Sequence, residues 1–164
     1  MALEFQEGAP FPKFEFPGVS LRDGETQENV VSNQTLQGTP FVLWVYPKDQ
    51  TSGCTIEARE FAQLHDQLKD AGVEVLGVSR DTIRSHVNFL KAQELPFALL
   101  SDAGGAWLNE HGLIYEAKMY GKPVTKVSRT TFFVDGDGVL RRLWENVTPA
   151  GHGAQVLEAI TQSK

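Results

Sequence analysis

Apolar residues along the chain fall into short runs divided by polar segments and turn residues. Residues 13–31 place short extended pieces around the turn signals Pro17-Gly18 and Asp23-Gly24, as in a small hairpin. Phe41–Tyr46 is a continuous apolar and β-branched run, which predicts a strand buried on both faces and ended by Pro47. A polar loop, 48–53, leads into a helix beginning near Ser52 to Cys54. Ala58, Phe61, Leu64, Leu68 and Ala71 then recur at helical spacing, and Gly72 stops the helix. The alternation repeats. Val73–Ser79 reads as a second buried strand, and Asp81 as the cap of a helix carrying Ile83, Val87 and Leu90 that Pro96 terminates. Phe97–Leu100 is a third strand, followed by a short helix around Ala106–Glu110. Residues 115–128 show no clear period. Thr130–Val134 and Val139–Trp144 flank Asp135-Gly-Asp-Gly138, a strong hairpin signal. A last helix runs from about His152 to Thr161, with Val156, Leu157 and Ile160 inward.

Strand–helix–strand–helix–strand, a hairpin and a terminal helix make an α/β layer pattern. The first units call for parallel strands joined by right-handed crossovers, and the hairpin adds antiparallel ones. The expected architecture is a mixed sheet with helices on both faces and an N-terminal β-hairpin extension, which a thioredoxin-like fold satisfies. A flavodoxin-like fold fits the early units but does not end in a hairpin.

Composition narrows the class. The 164 residues suit one domain, 1–164, with no Gly/Ser linker and no internal repeat. A net charge of −6 argues against non-specific binding to nucleic acid. The longest apolar stretch is Phe41–Tyr46, far below the ~20 residues that span a bilayer. The amino-terminal segment lacks a basic region with an apolar run and carries Glu4, Glu7 and Glu15, so a cytoplasmic location is expected. There is one cysteine, Cys54, which excludes an internal disulfide, a CxxC pair and a multi-cysteine zinc site. His65, His86, His111 and His152 form neither HExxH nor an i, i+4 pair, so neither a metal nor a cofactor is expected. His86 and His111 read as partly exposed helix residues, and His152 as a residue of helix capping or packing.

In such a fold, reactive groups gather where a strand's carboxyl end meets the next helix. Here that segment is Pro47-Lys-Asp-Gln-Thr51-Ser-Gly-Cys54. Free N–H groups and the helix dipole favour a thiolate at Cys54. Thr51, three residues earlier, can offer its hydroxyl to the sulfur or a bound oxygen, or cap the helix. A lone cysteine is also a common small core residue, so position alone leaves a reactive and an inert Cys54 both open.

The surrounding residues resemble one family along nearly the whole chain. The pattern P-x-x-x-T-x-x-C at Pro47–Cys54, Gly77-Val-Ser-Arg-Asp81, Leu95-Pro96-Phe97 with Leu99-Leu-Ser-Asp102, Met119-Tyr-Gly-Lys122, Arg129-Thr-Thr-Phe132 and Gly151-His152 occur in this order. Together they resemble the peroxiredoxins, and most of all the peroxiredoxin Q or bacterioferritin comigratory subfamily.

The resemblance implies that Cys54 is the peroxidatic cysteine and that Thr51 orients the peroxide. It implies that Arg129 approaches the thiolate, Pro47 shields the cysteine and Glu57 holds Arg129. Many members carry a resolving cysteine five residues after the first; here that position is Arg59. The implied activity is a one-cysteine, thiol-dependent reduction of hydrogen peroxide and organic hydroperoxides, in antioxidant defence. The implied partner is an external thiol: thioredoxin, glutaredoxin with glutathione, or another low-molecular-weight thiol. A monomer is favoured over a dimer. The alternative is a thioredoxin-like peroxide sensor that forms mixed disulfides through Cys54. Met119-Tyr120-Gly121 is expected to line the entrance to the site.

Overall fold

The computed structural model describes residues 5–162. The readings that rest on the extreme ends of the chain fall partly on residues 1–4 and 163–164, outside the described residues. Strands β1 (Glu15–Arg22) and β2 (Glu25–Ser32) form the amino-terminal hairpin. Its turn is Asp23-Gly24, both with positive φ; Pro17-Gly18, by contrast, lies within β1. Gly18 allows a close approach there, since a Cβ would stand 2.7 Å from Leu100 Cδ2 of the neighbouring strand.

Strand β3 (Phe41–Val45) leads to helix α1 (Ser52–Asp70), β4 (Glu74–Ser79), α2 (Ile83–Gln93) and β5 (Ala98–Ser101). A five-residue helix α3 (Ala106–Glu110) follows. Next come β6 (Ile114–Met119), β7 (Lys122–Val127), β8 (Thr130–Val134), β9 (Leu140–Trp144) and α4 (His152–Gln162). Seven strands form one sheet in the order β2-β1-β5-β4-β3-β8-β9. Strands β3, β4 and β5 are parallel, whereas β1 and β8 join them antiparallel. Because β3, β4 and β5 advance in one direction across the sheet, right-handed crossovers put α1 and α2 on the same face.

Alternation along β3 decides which core each residue joins. Val42 and Trp44 pack with Phe61 and Leu68 of α1, Phe89 and Leu90 of α2, and Val156 and Ile160 of α4. Phe41, Leu43 and Val45 face the other core. That second face carries α3, and much of its cover is aromatic: Phe5, Phe11, Phe14, Phe16 and Phe132 with Trp107 beside them. Each fully buried side chain of this size contributes about 1.5–3 kcal/mol.

Besides the Pro17-Gly18 turn, two further expectations about these elements need correction. Residues 115–128 are not irregular but form the β6–β7 hairpin, a separate two-stranded sheet turned by Tyr120-Gly121, both at positive φ. The hairpin buries little apolar area, so its strands carry no strong alternation. Asp81 does not cap α2. Thr82 does, accepting from Ser85 N at 3.2 Å. The Asp81 carboxylate instead receives Ser79 Oγ and Asp49 N, at 2.6 and 2.9 Å.

Candidate active site

Pro47 ends β3 because it fixes φ and lacks an N–H, and the loop to Thr51 sits over the carboxyl ends of the parallel strands. Thr51 is the N-cap residue of α1 by position, but its side chain makes no capping bond. Its hydroxyl donates instead to the Lys48 carbonyl at 2.8 Å, closing the loop on itself. Cys54 is then the third helical residue, with a main-chain N–H that has no partner within the helix. The Cys54 side chain is fully buried.

Arg129 immediately precedes β8, which pairs antiparallel with β3, so sheet register brings it over the start of α1. Its Nη2 lies 3.5 Å from Cys54 Sγ, and its Nη1 donates to Glu57 Oε1 at 2.8 Å. Glu57 is one turn beyond Cys54 on the same helix face and is buried. Burial pushes its carboxyl up to about 7 against the pull of the Arg129 hydrogen bond. Burial alone would lower the Arg129 guanidinium, but the Cys54 sulfur and the Glu57 carboxylate outweigh it and raise it above its ordinary value. Gly53 keeps this arrangement open: a Cβ there would stand 3.1 Å from Arg129 Nη2 and 3.3 Å from Pro149 Cγ.

The structure thus brings Cys54, Glu57 and Arg129 together from positions up to 75 residues apart. Pro47, Thr51, Gly53 and Arg129 line a cleft of about 910 Å³ beside them. Met119 and Tyr115 also line this cleft, whereas Tyr120 sits at the hairpin tip, 97% exposed, and does not. The hairpin is pinned in place by Arg80, whose two terminal nitrogens donate to Thr125 Oγ1 and Thr125 O at 2.8 and 2.7 Å. Arg59 is exposed and donates to Gln93 Oε1 at 3.2 Å.

One supporting group escapes the sequence reading. His86 is not partly exposed but fully buried, beneath the loop. Its Nε2 meets the Leu100 carbonyl at 2.8 Å and therefore carries a proton; its Nδ1 meets Asp49 Oδ2 at 2.7 Å. Asp49 also accepts from Tyr46 Oη at 2.5 Å and from Ser85 Oγ at 2.8 Å. Burial, then the Asp49 charge, raises the Tyr46 phenol well above its ordinary value and keeps it a donor. This network ties the 47–51 loop to α2 and β5. Gln50 is held there at φ 59, a left-handed conformation unusual for a residue with a side chain. The signal was in the spacing: His86 falls between Ile83 and Leu90, on the apolar stripe of α2. His111, at the end of α3, is partly exposed as expected, and His152 begins α4, where its Nε2 lies 2.8 Å from Thr131 Oγ1.

A buried cysteine at a helix start, faced by an arginine from an antiparallel strand of a mixed sheet, defines a thiol-centred site on a thioredoxin fold. The chain belongs to the AhpC/TSA family, whose model matches residues 8–143. It is 38% identical over 151 residues to the peroxiredoxin Bcp of Xanthomonas campestris, covering 92% of this chain and 91% of that one. The solved bacterioferritin comigratory protein of X. campestris, described for its alkyl peroxide reduction activity, superposes with a TM-score of 0.76. It is 36% identical, with 90% of each chain covered. A cysteine-to-serine variant of Xylella fastidiosa PrxQ gives a TM-score of 0.84 at 27% identity, with 99% of each chain covered.

Proposed function

We propose that this protein is a one-cysteine peroxiredoxin: a thiol-dependent peroxidase in which Cys54 is oxidised by hydroperoxide and reduced by a thiol from outside the chain. The observation that carries the reading is the approach of Arg129 Nη2 to Cys54 Sγ, 3.5 Å, at the first turn of α1. The guanidinium donates to the sulfur, and the Cys54 N–H lies in the same first helical turn without a partner inside the helix. The thiolate attacks one peroxide oxygen, the O–O bond breaks, and Cys54 becomes sulfenic acid while the other oxygen leaves and is protonated to an alcohol or water. Negative charge spreads over both oxygens in the transition state, where the same two donors stabilise it. The Thr51 hydroxyl spends its proton on the Lys48 carbonyl, so it presents lone pairs and accepts from the peroxide O–H. Pro47, with no N–H, walls the sulfur without competing for the peroxide. Glu57 fixes the Arg129 fork.

With Cys54 the single cysteine, the sulfenic acid has no thiol in its own chain to meet. A first external thiol forms a mixed disulfide and releases water; a second restores Cys54 and leaves as the disulfide. Such a cycle fits a reducing compartment, and we place the protein in the cytoplasm, acting as a monomer.

The test is turnover of hydrogen peroxide and an organic hydroperoxide with a panel of thiols. Wild type should turn over many times per chain, Cys54→Ser should be inactive, and Arg129→Gln should lose about 10²–10³-fold in the oxidation step. A single stoichiometric oxidation with every thiol and thiol-reducing protein tried would instead mark a peroxide sensor. Failure of peroxide to add an oxygen atom to Cys54 would end the peroxidase reading.

A further inference from the structure

The cleft beside Cys54 carries more positive charge than peroxide chemistry requires. Arg129 serves the sulfur, but Lys48, Arg80 and Lys126 line the same cleft farther out. The one carboxylate in its wall, Asp81, accepts Ser79 Oγ and Asp49 N through Oδ2 and sets a single negative charge against the four cations Lys48, Arg80, Lys126 and Arg129. Lys48 and Lys126 are exposed and have no ion-pair partner among the described residues. Four of the fifteen Lys and Arg residues line this cleft, on a chain of net charge −6. Hydrogen peroxide and alkyl hydroperoxides are neutral and gain nothing from an outer ring of cations. The other reactant of the cycle is a thiol.

We infer that the Lys48–Arg80–Lys126 rim is a binding subsite for the reductant, and that the reductant is a small thiol carrying carboxylates. The inference rests on the peroxidase reading above. Size agrees with it: a cleft of about 910 Å³ lies within the roughly 300–1,000 Å³ of small-molecule sites. The rim cations also favour the attacking thiol as thiolate. The steps balance with two equivalents. The first thiolate displaces hydroxide from the sulfenic sulfur, which leaves as water and forms the mixed disulfide. The second attacks the small-molecule sulfur of that disulfide, expels the Cys54 thiolate and leaves as the symmetrical disulfide.

The experiment is a charge ladder. Peroxide turnover is measured with 3-mercaptopropionate, 2-mercaptoethanol and cysteamine, which are anionic, neutral and cationic thiols of similar size, and with glutathione. Rates are expressed per thiolate. The expected order is mercaptopropionate above mercaptoethanol above cysteamine, through KM rather than kcat. That preference should shrink as ionic strength rises from 0.01 to 0.15 M, where the screening length falls from about 30 to about 8 Å. In Lys48→Gln/Lys126→Gln, the ratio of mercaptopropionate to cysteamine turnover, and of glutathione to cysteamine, should fall about fivefold. Equal per-thiolate rates at low salt, or a ratio unmoved in the double variant, would overturn the inference. So would turnover with a thioredoxin-type protein and none with small thiols. Single-turnover oxidation of Cys54, followed without any thiol, separates the two readings. If it proceeds while charge selectivity is absent, the peroxidase stands and the subsite falls. If the selectivity lies in that oxidation step, for a carboxylated over a neutral hydroperoxide, the cations belong to the peroxide and the inference also falls.

Discussion

At the scale of single residues, the site is a competition between two groups for one charge. Arg129 is shared by the Cys54 sulfur and the Glu57 carboxylate, and Glu57 is buried enough to hold its proton up to about pH 7. Relative to an ordinary value of 4.5, the folded protein between pH 4.5 and 7 keeps a proton that the unfolded chain has released. Stability from this group therefore falls as pH rises through that window, by roughly 3 kcal/mol across it. Glu57→Gln should flatten this part of the urea-unfolding profile against pH, and remove the inflection near pH 7 from the rate of Cys54 oxidation. An unchanged slope between pH 4.5 and 7 would contradict the assignment. Gly53 gives a second check. Gly53→Ala gains helix propensity, but its Cβ stands 3.1 Å from Arg129 Nη2 and 3.3 Å from Pro149 Cγ, so those groups must give way by a few tenths of an ångström. Its Cβ displaces the Arg129 fork, so stopped-flow oxidation should slow at least about tenfold.

At the scale of elements, the first turn of α1 is held from below and covered from the side. The hold is Asp49–His86, where both side chains are buried and Tyr46 and Ser85 complete the carboxylate's bonds. His86→Leu removes the ring's hydrogen bonds to Asp49 Oδ2 and the Leu100 carbonyl and leaves those buried acceptors short of a donor, so it should cost about 1–3 kcal/mol by chemical denaturation. An effect below about 1 kcal/mol would show that the pair does not anchor the loop. The cover is the β6–β7 hairpin. Few apolar side chains attach it, and Arg80–Thr125 fastens it over the cleft. Arg80→Ala should raise amide hydrogen exchange across residues 114–127 while leaving β3 and β8 protected; exchange that rises equally in the central sheet would mean global destabilisation instead.

At the scale of the whole molecule, a single cysteine makes the catalytic cycle depend on a thiol from outside. Excess peroxide with no thiol should carry Cys54 past sulfenic to sulfinic acid, a mass gain of two oxygen atoms. An intramolecular disulfide is excluded by composition. Observation of sustained turnover without thiol would overturn the one-cysteine cycle. Gly77 tests the packing that carries the site: a Cβ there would stand 2.9 Å from both Trp44 and Leu99. Gly77→Ala should therefore destabilise by about 1–3 kcal/mol through overpacking between the central strands, visible as a lower midpoint in urea with an unchanged slope.

By itself the sequence determined the order of every element except β6 and β7, because an unbroken apolar run such as Phe41–Val45 and the 3.6-residue stripe of α1 are written along the chain. It also determined the absence of a second thiol and put Cys54 and Thr51 at a helix start, while the resemblance to the peroxiredoxins added Pro47, Glu57 and Arg129 as the residues to watch. Local signals misled where polar residues serve distant partners: Asp81 looks like a cap but braces a loop, and His86 looks exposed but supports Asp49. The β6–β7 hairpin was hidden because a lightly buried two-stranded sheet imposes no strong alternation. Only tertiary structure decided the 3.5 Å approach of Arg129 to Cys54, since it depends on antiparallel pairing of β8 with β3. Tertiary structure alone also gathered Lys48, Arg80 and Lys126 around one cleft. The physical reason is the same in each case: periodicity is a property of neighbours along the chain, whereas charge and reactivity depend on neighbours in space.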